Sequence, residues 1–126
     1  MEAELVWTIL LSIVALFLLF RTESRDSDKQ IRTLYRQAAR FAFASTQDES
    51  SVIKTLHANY AMGYLLALKD IATAGEFKRA TGTDLASFEY KITRIQDSST
   101  VNLVSECEEL IPDEDPMLLR AMYIKI

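Results

Sequence analysis

A chain of 126 residues has room for one ordinary domain, or for a membrane anchor followed by a domain of about 100 residues. The formal net charge of -4 is unevenly distributed, because residues 21–40 carry six Lys and Arg against three acids, whereas residues 41–126 carry eight against thirteen. A single cysteine and a single histidine exclude an intrachain disulfide and a zinc site built from Cys and His within one chain.

The first element is an apolar run without charge, residues 5–20, which predicts a transmembrane helix. At 1.5 Å per residue this run reaches about 24 Å, less than a hydrocarbon core of ~30 Å. Spanning therefore needs Arg21 to extend its charge into the headgroups at one end, with Trp7 near the interface at the other. We predict a transmembrane anchor over residues 1–21.

A cleaved signal peptide is the alternative for this segment, but it requires a positive N-terminal region and a cleavage site of small residues. Glu2 and Glu4 precede the apolar run instead, and the sequence FLLFRTES contains no such site. The six basic residues near the run all follow it. The positive-inside rule therefore predicts a single-pass membrane protein with its C-terminal domain in the cytosol and its N-terminus in the lumen or exterior.

A new helix is predicted to begin near Asp28, because residues 27–30 (SDKQ) fit a capping box. This predicts a juxtamembrane bend at residues 22–27 and a helical domain over residues 28–126. One arc of about 100° on a helical projection holds the six basic residues. We name them the basic stripe: Arg21, Arg25, Lys29, Arg32, Arg36 and Arg40. The opposite side of the helix, which is predicted to end near Ser45, holds Ile31, Leu34, Tyr35, Ala38, Phe41 and Ala42.

Residues 52–75 predict a second helix of the domain, ending at Gly75. Its charge-free part is too short to cross a membrane, so a core helix is favoured. The positions expected to face the core recur at intervals of three and four residues: Ile53, Leu56, Tyr60, Tyr64, Ala67, Leu68 and Ile71.

A short turn, EFKRATG, is predicted to follow and to close at Gly82. Thr83 or Asp84 then caps a long third helix, which ends before Pro112 and has Ser99 as the polar gap in its apolar face. A short last helix is predicted from Pro116, and residues 122–126 are compatible with a helix, a strand or a docking peptide. The predicted fold class is all-α, an N-terminal transmembrane helix followed by a small helical bundle.

The residues present disfavour catalysis. The three glycines match neither of the loop patterns that cradle phosphates. A nucleophile and base pair of Cys107 and His57 lacks an evident third group to orient it, so a buried thiol and a hydrogen-bonded histidine are favoured. We expect a protein that is not an enzyme, with no cofactor, no metal and no small-molecule substrate.

An acidic cluster surrounds the C-terminus of the predicted third helix. It comprises Glu106, Glu108, Glu109, Asp113, Glu114 and Asp115. Carboxylates there oppose the helix dipole, so they do not serve helix stability. The alternatives are a solvated acidic surface, a contact for a basic partner such as the basic stripe of another copy, and weak cation binding, although the spacing does not fit an EF-hand loop.

The basic stripe has four interpretations. It is a solvated face, a site for lipid headgroups, a nucleic-acid site, or a docking face for an acidic protein surface. The net negative charge of residues 41–126 disfavours nucleic acid. Arg21 and Arg25 lie close enough to the apolar run to meet anionic headgroups, and Arg32, Arg36 and Arg40 are the candidates for protein docking.

The segment HANYAMGYLLALKDIATAGEFKRATGTDLASFEYKITRIQD, residues 57–97, resembles small proteins of large icosahedral double-stranded DNA viruses, including viruses of algae. The likeness lies in YAMGYLLALKDIAT and in the ATGTDLASF turn, and it includes no catalytic motif. Those viruses enclose a lipid membrane beneath the capsid. The resemblance therefore implies a minor capsid or virion membrane protein, with capsid proteins and membrane lipid as its partners.

These observations leave two main hypotheses of function. The first is a non-enzymatic, single-span structural protein that tethers an internal membrane to a protein shell through its basic helix face. The alternative is a small accessory or assembly subunit of a cellular membrane complex, for example in an organelle.

Overall fold

The computed structural model describes residues 1–107, apart from the side chain of Glu2, and this part of the chain forms four α-helices and no β-strand. They are α1 (Glu2–Gln47), α2 (Ser51–Ile71), α3 (Ala74–Thr81) and α4 (Leu85–Glu106). The predicted class is confirmed, with a long apolar N-terminal helix and a helical bundle. The helix predicted from Pro116 and residues 122–126 lie outside the described residues.

α1 is one unbroken helix of 46 residues. The predicted bend at residues 22–27 and the predicted helix start near Asp28 are therefore wrong. Residues 22–27 contain neither Gly nor Pro, and extending an existing helix gains one hydrogen bond for each residue that is fixed. The capping-box pattern at Ser27 marks a start only where the preceding chain is not helical, and here it is helical.

The three long helices run antiparallel to their neighbours in sequence. A three-residue turn reverses the chain between α1 and α2, where the Ser45 hydroxyl donates to the Lys54 carbonyl at 2.8 Å. α2 and α4 are antiparallel because Lys69 pairs with Glu89 at one end and Ser51 bonds Glu106 at the other. α4 therefore ends beside the start of α2, at the end of the bundle farthest along α1.

The core lies where α1, α2 and α4 meet, with α3 covering one side. Tyr35 of α1 is packed edge-on against Phe77 of α3 and Phe88 of α4, with ring centroids 5.4 and 4.8 Å away. The buried core residues are Ile31, Ala38, Ala42, Ala61, Leu65, Leu68, Phe77, Phe88 and Ile92. This confirms the apolar face predicted for α1.

α2 packs with a different face from the one predicted. Its buried residues are Thr55, Ala58, Ala61, Leu65 and Leu68, so of the seven predicted core positions only Leu68 is buried. Ala58 and Ala61 are small enough to let the neighbouring helices approach closely. The buried Thr55 hydroxyl is satisfied by the Ser99 carbonyl at 3.0 Å. Of the other predicted positions, Tyr64 is half-buried, and Ile53, Leu56, Tyr60, Ala67 and Ile71 are exposed.

The segment predicted as a turn, EFKRATG, is mostly helical and belongs to α3, and α2 ends at Ile71 rather than at Gly75. Thr73 and Glu76 form a capping box, in which the Glu76 amide donates to the Thr73 hydroxyl and the Thr73 amide donates to the Glu76 carboxylate. The bonds from the Thr73 backbone and side chain hold the pKa of Glu76 below its usual range. Gly82 closes α3 in the left-handed region at φ 74°, as its role in the predicted turn implied.

Asp84 is the N-cap of α4, which decides between the two predicted caps. Its carboxylate accepts from the Ser87 amide at 2.9 Å, and this backbone bond, with one from the Ser87 hydroxyl, lowers the pKa of Asp84. Ser99, the predicted polar gap, is buried, and its hydroxyl donates to the Gln96 carbonyl.

Candidate docking surface on helix α1

The basic stripe is a solvent-exposed face of α1 over its whole length. All six of its side chains are exposed, which agrees with the face predicted from the sequence. Within residues 1–107, the ion pairs are Lys69 with Glu89 and Arg79 with Asp28, and neither involves the stripe. The stripe therefore presents its charges to whatever lies outside the bundle.

The fold produces this exposure by burying the opposite side of the same helix. Ile31 and Ala38 have no exposed surface, and Ala42 has almost none. A helix turns by about 100° per residue, so side chains on the far side of these three positions point away from α2, α3 and α4. The basic and apolar faces are thus two consequences of one periodic pattern.

The acids that share this part of α1 do not neutralise the stripe. Asp28 accepts a hydrogen bond from Arg79 of α3 at 3.3 Å, so its charge is committed to a contact inside the bundle. Helix geometry directs Glu23 about 150° and Asp26 about 90° away from the centre of the stripe. Between Arg21 and Arg40, the arc of α1 that holds the six basic residues therefore contains no acidic side chain.

Because α1 is continuous, the distance of each stripe residue from the apolar segment is fixed by its position along the helix axis. With a rise of 1.5 Å per residue, Arg32, Arg36 and Arg40 lie about 17, 23 and 29 Å beyond Arg21 along the helix axis. A bend would have allowed the later arginines to turn back toward the apolar segment. An unbroken helix does not.

A shallow cleft of about 300 Å³ borders the stripe on the side of α3. Its lining combines two arginines of the stripe with one aromatic ring, one hydroxyl and two small apolar side chains. These residues are Arg32, Tyr35, Arg36, Ala39, Ala80 and Thr81. The surface of α1 beside the stripe is therefore concave as well as positively charged.

Phe43 is a feature of this face that the sequence interpretation missed. Its side chain is 64% exposed, although both preceding residues contribute to the packed side of α1. Helix geometry directs Phe43 within about 20° of Arg32 and Arg36. The signal was present in the sequence, because a position seven residues after Arg36 must share its face.

The apolar segment at the start of α1 makes no contact with the bundle. The most apolar 18-residue window of α1 is 0% buried, and α1 is the one helix among residues 1–107 that is long and apolar enough to cross a membrane. A core helix would be covered by its neighbours, and this one is not. By length and composition, α1 is therefore a candidate transmembrane helix, as the sequence predicts.

His57 and Cys107 do not form a nucleophile and base pair by hydrogen bonding in the described part of the chain. His57 Nδ1 lies 2.7 Å from Asp48 Oδ2, and its ring is packed beside Phe41 with centroids 5.7 Å apart. Asp48 is thus an orienting group that the sequence interpretation did not find. The pair links the turn after α1 to the first turns of α2, which is a structural role.

The predicted acidic cluster is represented by Glu106 alone. Its carboxylate accepts a hydrogen bond from the Ser51 hydroxyl at 2.6 Å, at the start of α2, where negative charge is favoured by the helix dipole. The other five members, Glu108, Glu109, Asp113, Glu114 and Asp115, lie outside the described residues. Among the residues described, no group of His, Cys, Asp and Glu has the arrangement of a metal site.

Comparison with known proteins gives no significant match for this chain. No protein-family model matches the chain, and neither a curated protein nor a solved structure is significantly similar to it.

Proposed function

We propose that the chain is a non-enzymatic, single-span structural protein that tethers a membrane to a protein shell. The anchor of residues 1–21 crosses the membrane, and the bundle stands on the cytosolic side, where Arg32, Arg36 and Arg40 dock on an acidic protein surface. Arg21 and Arg25 bind anionic headgroups, and Lys29 lies between the two levels. The observation that carries this proposal is the continuity of α1 from the apolar segment through the whole basic stripe.

The exposure of the apolar segment supports the membrane part of the proposal. Every large apolar side chain of residues 5–20 is at least 46% exposed, among them Trp7, Phe17 and Phe20, so apolar side chains are exposed on all sides of the helix. Soluble monomers rarely expose apolar patches of more than a few hundred Å². A bilayer removes this surface from water, and Arg21 completes the span by extending its charge into the headgroups.

Distance decides which partner suits the lower stripe, Arg21 and Arg25, and which suits the upper stripe, Arg32, Arg36 and Arg40. Interactions of exposed charges are largely screened beyond about 8–10 Å at physiological ionic strength. Arg25 lies about 6 Å from Arg21 along the axis and is within that range, whereas Arg32 is already about 17 Å away. A tilt of about 20°, typical for such helices, shortens these heights by less than a tenth. Lipid headgroups therefore suit the lower stripe, and a protein surface suits the upper stripe.

The chemistry of the upper stripe favours an acidic protein surface. Three arginines without an ion-pair partner among residues 1–107 offer planar donors that match carboxylates in geometry. Nucleic acid is disfavoured as the partner because residues 41–126 carry a net negative charge. This charge would repel the phosphates that do not contact the stripe. Docking at a constant distance from the apolar segment would give the membrane and the shell a defined spacing.

The shell we propose is a viral capsid. The resemblance of residues 57–97 to small proteins of large icosahedral double-stranded DNA viruses supports a minor capsid or virion membrane protein. In such a particle the cytosolic side of the membrane becomes the side that faces the capsid. The bundle would then occupy the space between the bilayer and the inner capsid surface.

Charge reversal tests this function. A tagged chain with Arg32→Glu, Arg36→Glu and Arg40→Glu competes with untagged wild type in cells that produce the native assembly, and mass spectrometry measures the ratio of the two in the purified assembly. We expect the tagged variant to be depleted at least tenfold, because like charges across an interface are strongly unfavourable.

The matched control reverses three exposed charges elsewhere on the bundle, Lys78→Glu, Lys91→Glu and Arg94→Glu. It changes the net charge by the same amount and should be incorporated like wild type. Equal incorporation of the stripe variant and wild type would refute the docking function. Equal depletion of both variants would mean that overall charge, and not the stripe, governs assembly.

A further inference from the structure

Phe43 stands out on the docking face because it is a large apolar side chain in line with the arginines. It lies about 11 Å beyond Arg36 and about 33 Å beyond Arg21 along the axis of α1. At that height it cannot reach the membrane that the apolar segment enters. Its exposed fraction of 64% means that it is not packed into the bundle formed by residues 1–107 either.

The core at this level of α1 is filled by other residues. Phe41 stacks on Tyr64 with ring centroids 5.7 Å apart and meets Tyr60 edge-on at 5.3 Å. Ala42 is buried. Phe41 therefore supplies the aromatic packing at this level of α1, and the core does not require Phe43. If the face were only solvated, a polar side chain at position 43 would suit it better.

We propose that Phe43 is the apolar anchor of the docking face, and this inference rests on the proposed function. The partner is an acidic protein surface that carries an apolar pocket about 11 Å from the carboxylates that bind Arg36. Charge complementarity selects this occupant, because Arg36 and Arg40 precede Phe43 on the same side of α1 and both are exposed. Interfaces commonly combine these two elements, since aromatic residues and Arg dominate the energetic centre while surrounding charges set the approach and the register.

The anchor predicts a division of labour along α1. Arg32, Arg36 and Arg40 attract the partner and fix its orientation, so their contribution falls as salt screens it. Phe43 fills a pocket, so its contribution persists in salt and acts on the rate of dissociation. Neither role alone produces tight and specific docking at a defined height.

The test replaces Phe43 by Ala in the full-length tagged chain and measures its ratio to wild type in the purified native assembly. We expect at least a tenfold depletion of Phe43→Ala and near-normal incorporation of Phe43→Leu, which keeps an apolar side chain. The matched control is Tyr90→Ala, because Tyr90 of α4 is 63% exposed and also lies beside an arginine, with the Arg94 guanidinium carbon 5.9 Å from its ring centroid. The control should be incorporated like wild type.

A photoreactive benzoylphenylalanine at position 43 provides the second readout and does not depend on the effect of a truncation. We expect it to crosslink to a shell protein in the assembled state, whereas the same group at position 90 does not. Thermal unfolding followed by circular dichroism checks that Phe43→Ala retains the fold, as expected for an exposed position.

The outcomes separate this inference from the proposed function. If the arginine variant is depleted and Phe43→Ala is incorporated normally, the anchor is refuted and charge-driven docking stands. If both are incorporated normally, both proposals are refuted. If Phe43→Ala is depleted while the arginine variant is not, docking is apolar and the basic stripe has no part in it, which overturns the combined surface.

Discussion

Arg79 of α3 donates to the Asp28 carboxylate of α1 across 3.3 Å, and this contact ties the bundle to α1 one residue beyond the segment where the sequence predicts a bend. The side chain of Asp28 is about three-quarters covered while that of Arg79 is mostly exposed, at 23% and 58%. The pair therefore joins α1 and α3 at the first turn of α1 that contacts the bundle. From that point the helix continues without a break into the apolar segment.

The continuity of α1 is open to a direct distance measurement. Spin labels at Thr22 and Thr46, on a chain with Cys107 replaced by Ser, should be about 36 Å apart with a narrow distribution, because 24 residues of helix separate them. Labels at Thr33 and Thr46 serve as the control within the bundle and should give about 20 Å. A broad distribution centred well below 36 Å for the first pair, with the control unchanged, would restore the bend and remove the fixed height of the stripe.

The packing register of α2 predicts that truncating two leucines on the same helix will lower the free energy of unfolding by very different amounts. Leu65 is fully buried, so Leu65→Ala should lower the free energy of unfolding by about 2–5 kcal/mol. Leu56 is 43% exposed, so Leu56→Ala should cost about 1 kcal/mol or less. Urea unfolding of the full-length chain in detergent micelles measures both. A larger loss at Leu56 than at Leu65 would show that the face inferred from the sequence is the packed one.

Alanine substitutions at Gly82 and Gly75 distinguish the effect of backbone conformation on stability from the effect of packing. Gly82 has φ 74°, and an added Cβ would meet no atom within 4 Å, so Gly82→Ala should destabilise the chain by about 1–2 kcal/mol through its backbone conformation alone. Gly75, in the first turn of α3, is equally open but has no positive φ. Gly75→Ala should therefore stabilise by about 0.4–1 kcal/mol by restricting the unfolded chain. A shift of the same sign at both positions in denaturant unfolding would contradict this difference.

The caps of α3 and α4 predict a loss of stability in acid. Hydrogen bonds from Thr73 lower the pKa of Glu76, and bonds from Ser87 lower the pKa of Asp84. A carboxyl whose pKa is lower in the folded than in the unfolded chain stabilises the fold at neutral pH, and this contribution is lost as the pH falls through the folded-state pKa. Asp84→Ala should therefore lower the unfolding midpoint at pH 7, and the difference from wild type should shrink below about pH 4. An equal difference at pH 7 and pH 3 would mean that the carboxylate form is not what stabilises the cap.

The periodic part of the sequence predicted the structure well. The apolar and basic faces of α1 follow from one repeat, and Asp84 and Gly82 occupy the ends of helices because their local chemistry suits those positions. These features depend on residues close together in the chain, which sequence patterns describe directly.

The wrong predictions have a common physical origin. In each case a local sequence signal competed with helix propagation or with packing between helices, which local patterns do not report. Ser27 carries a capping signal, but helix on both sides of it propagates through. α2 has two overlapping faces, and the choice between Leu65 and Leu56 is made by the helices that pack against it. α3 has only eight residues, too few for periodicity, although the capping box of Thr73 and Glu76 was available as a signal. Phe43 shares the face of the basic stripe but follows its last member, Arg40, so the pattern of charges does not extend to it.

Zero-length crosslinking on the intact native assembly tests the docking of the stripe most directly. A carbodiimide-type reagent joins the exposed Lys29 amine to a carboxylate in direct contact, and Arg36→Lys adds a second amine higher on the stripe without changing its charge. We expect mass spectrometry to find both lysines linked to Asp or Glu residues of one shell protein, with the exposed Lys91 of α4 free of such links. Links from Lys91 to a shell protein, with none from Lys29 or from the lysine at position 36, would contradict docking through the stripe.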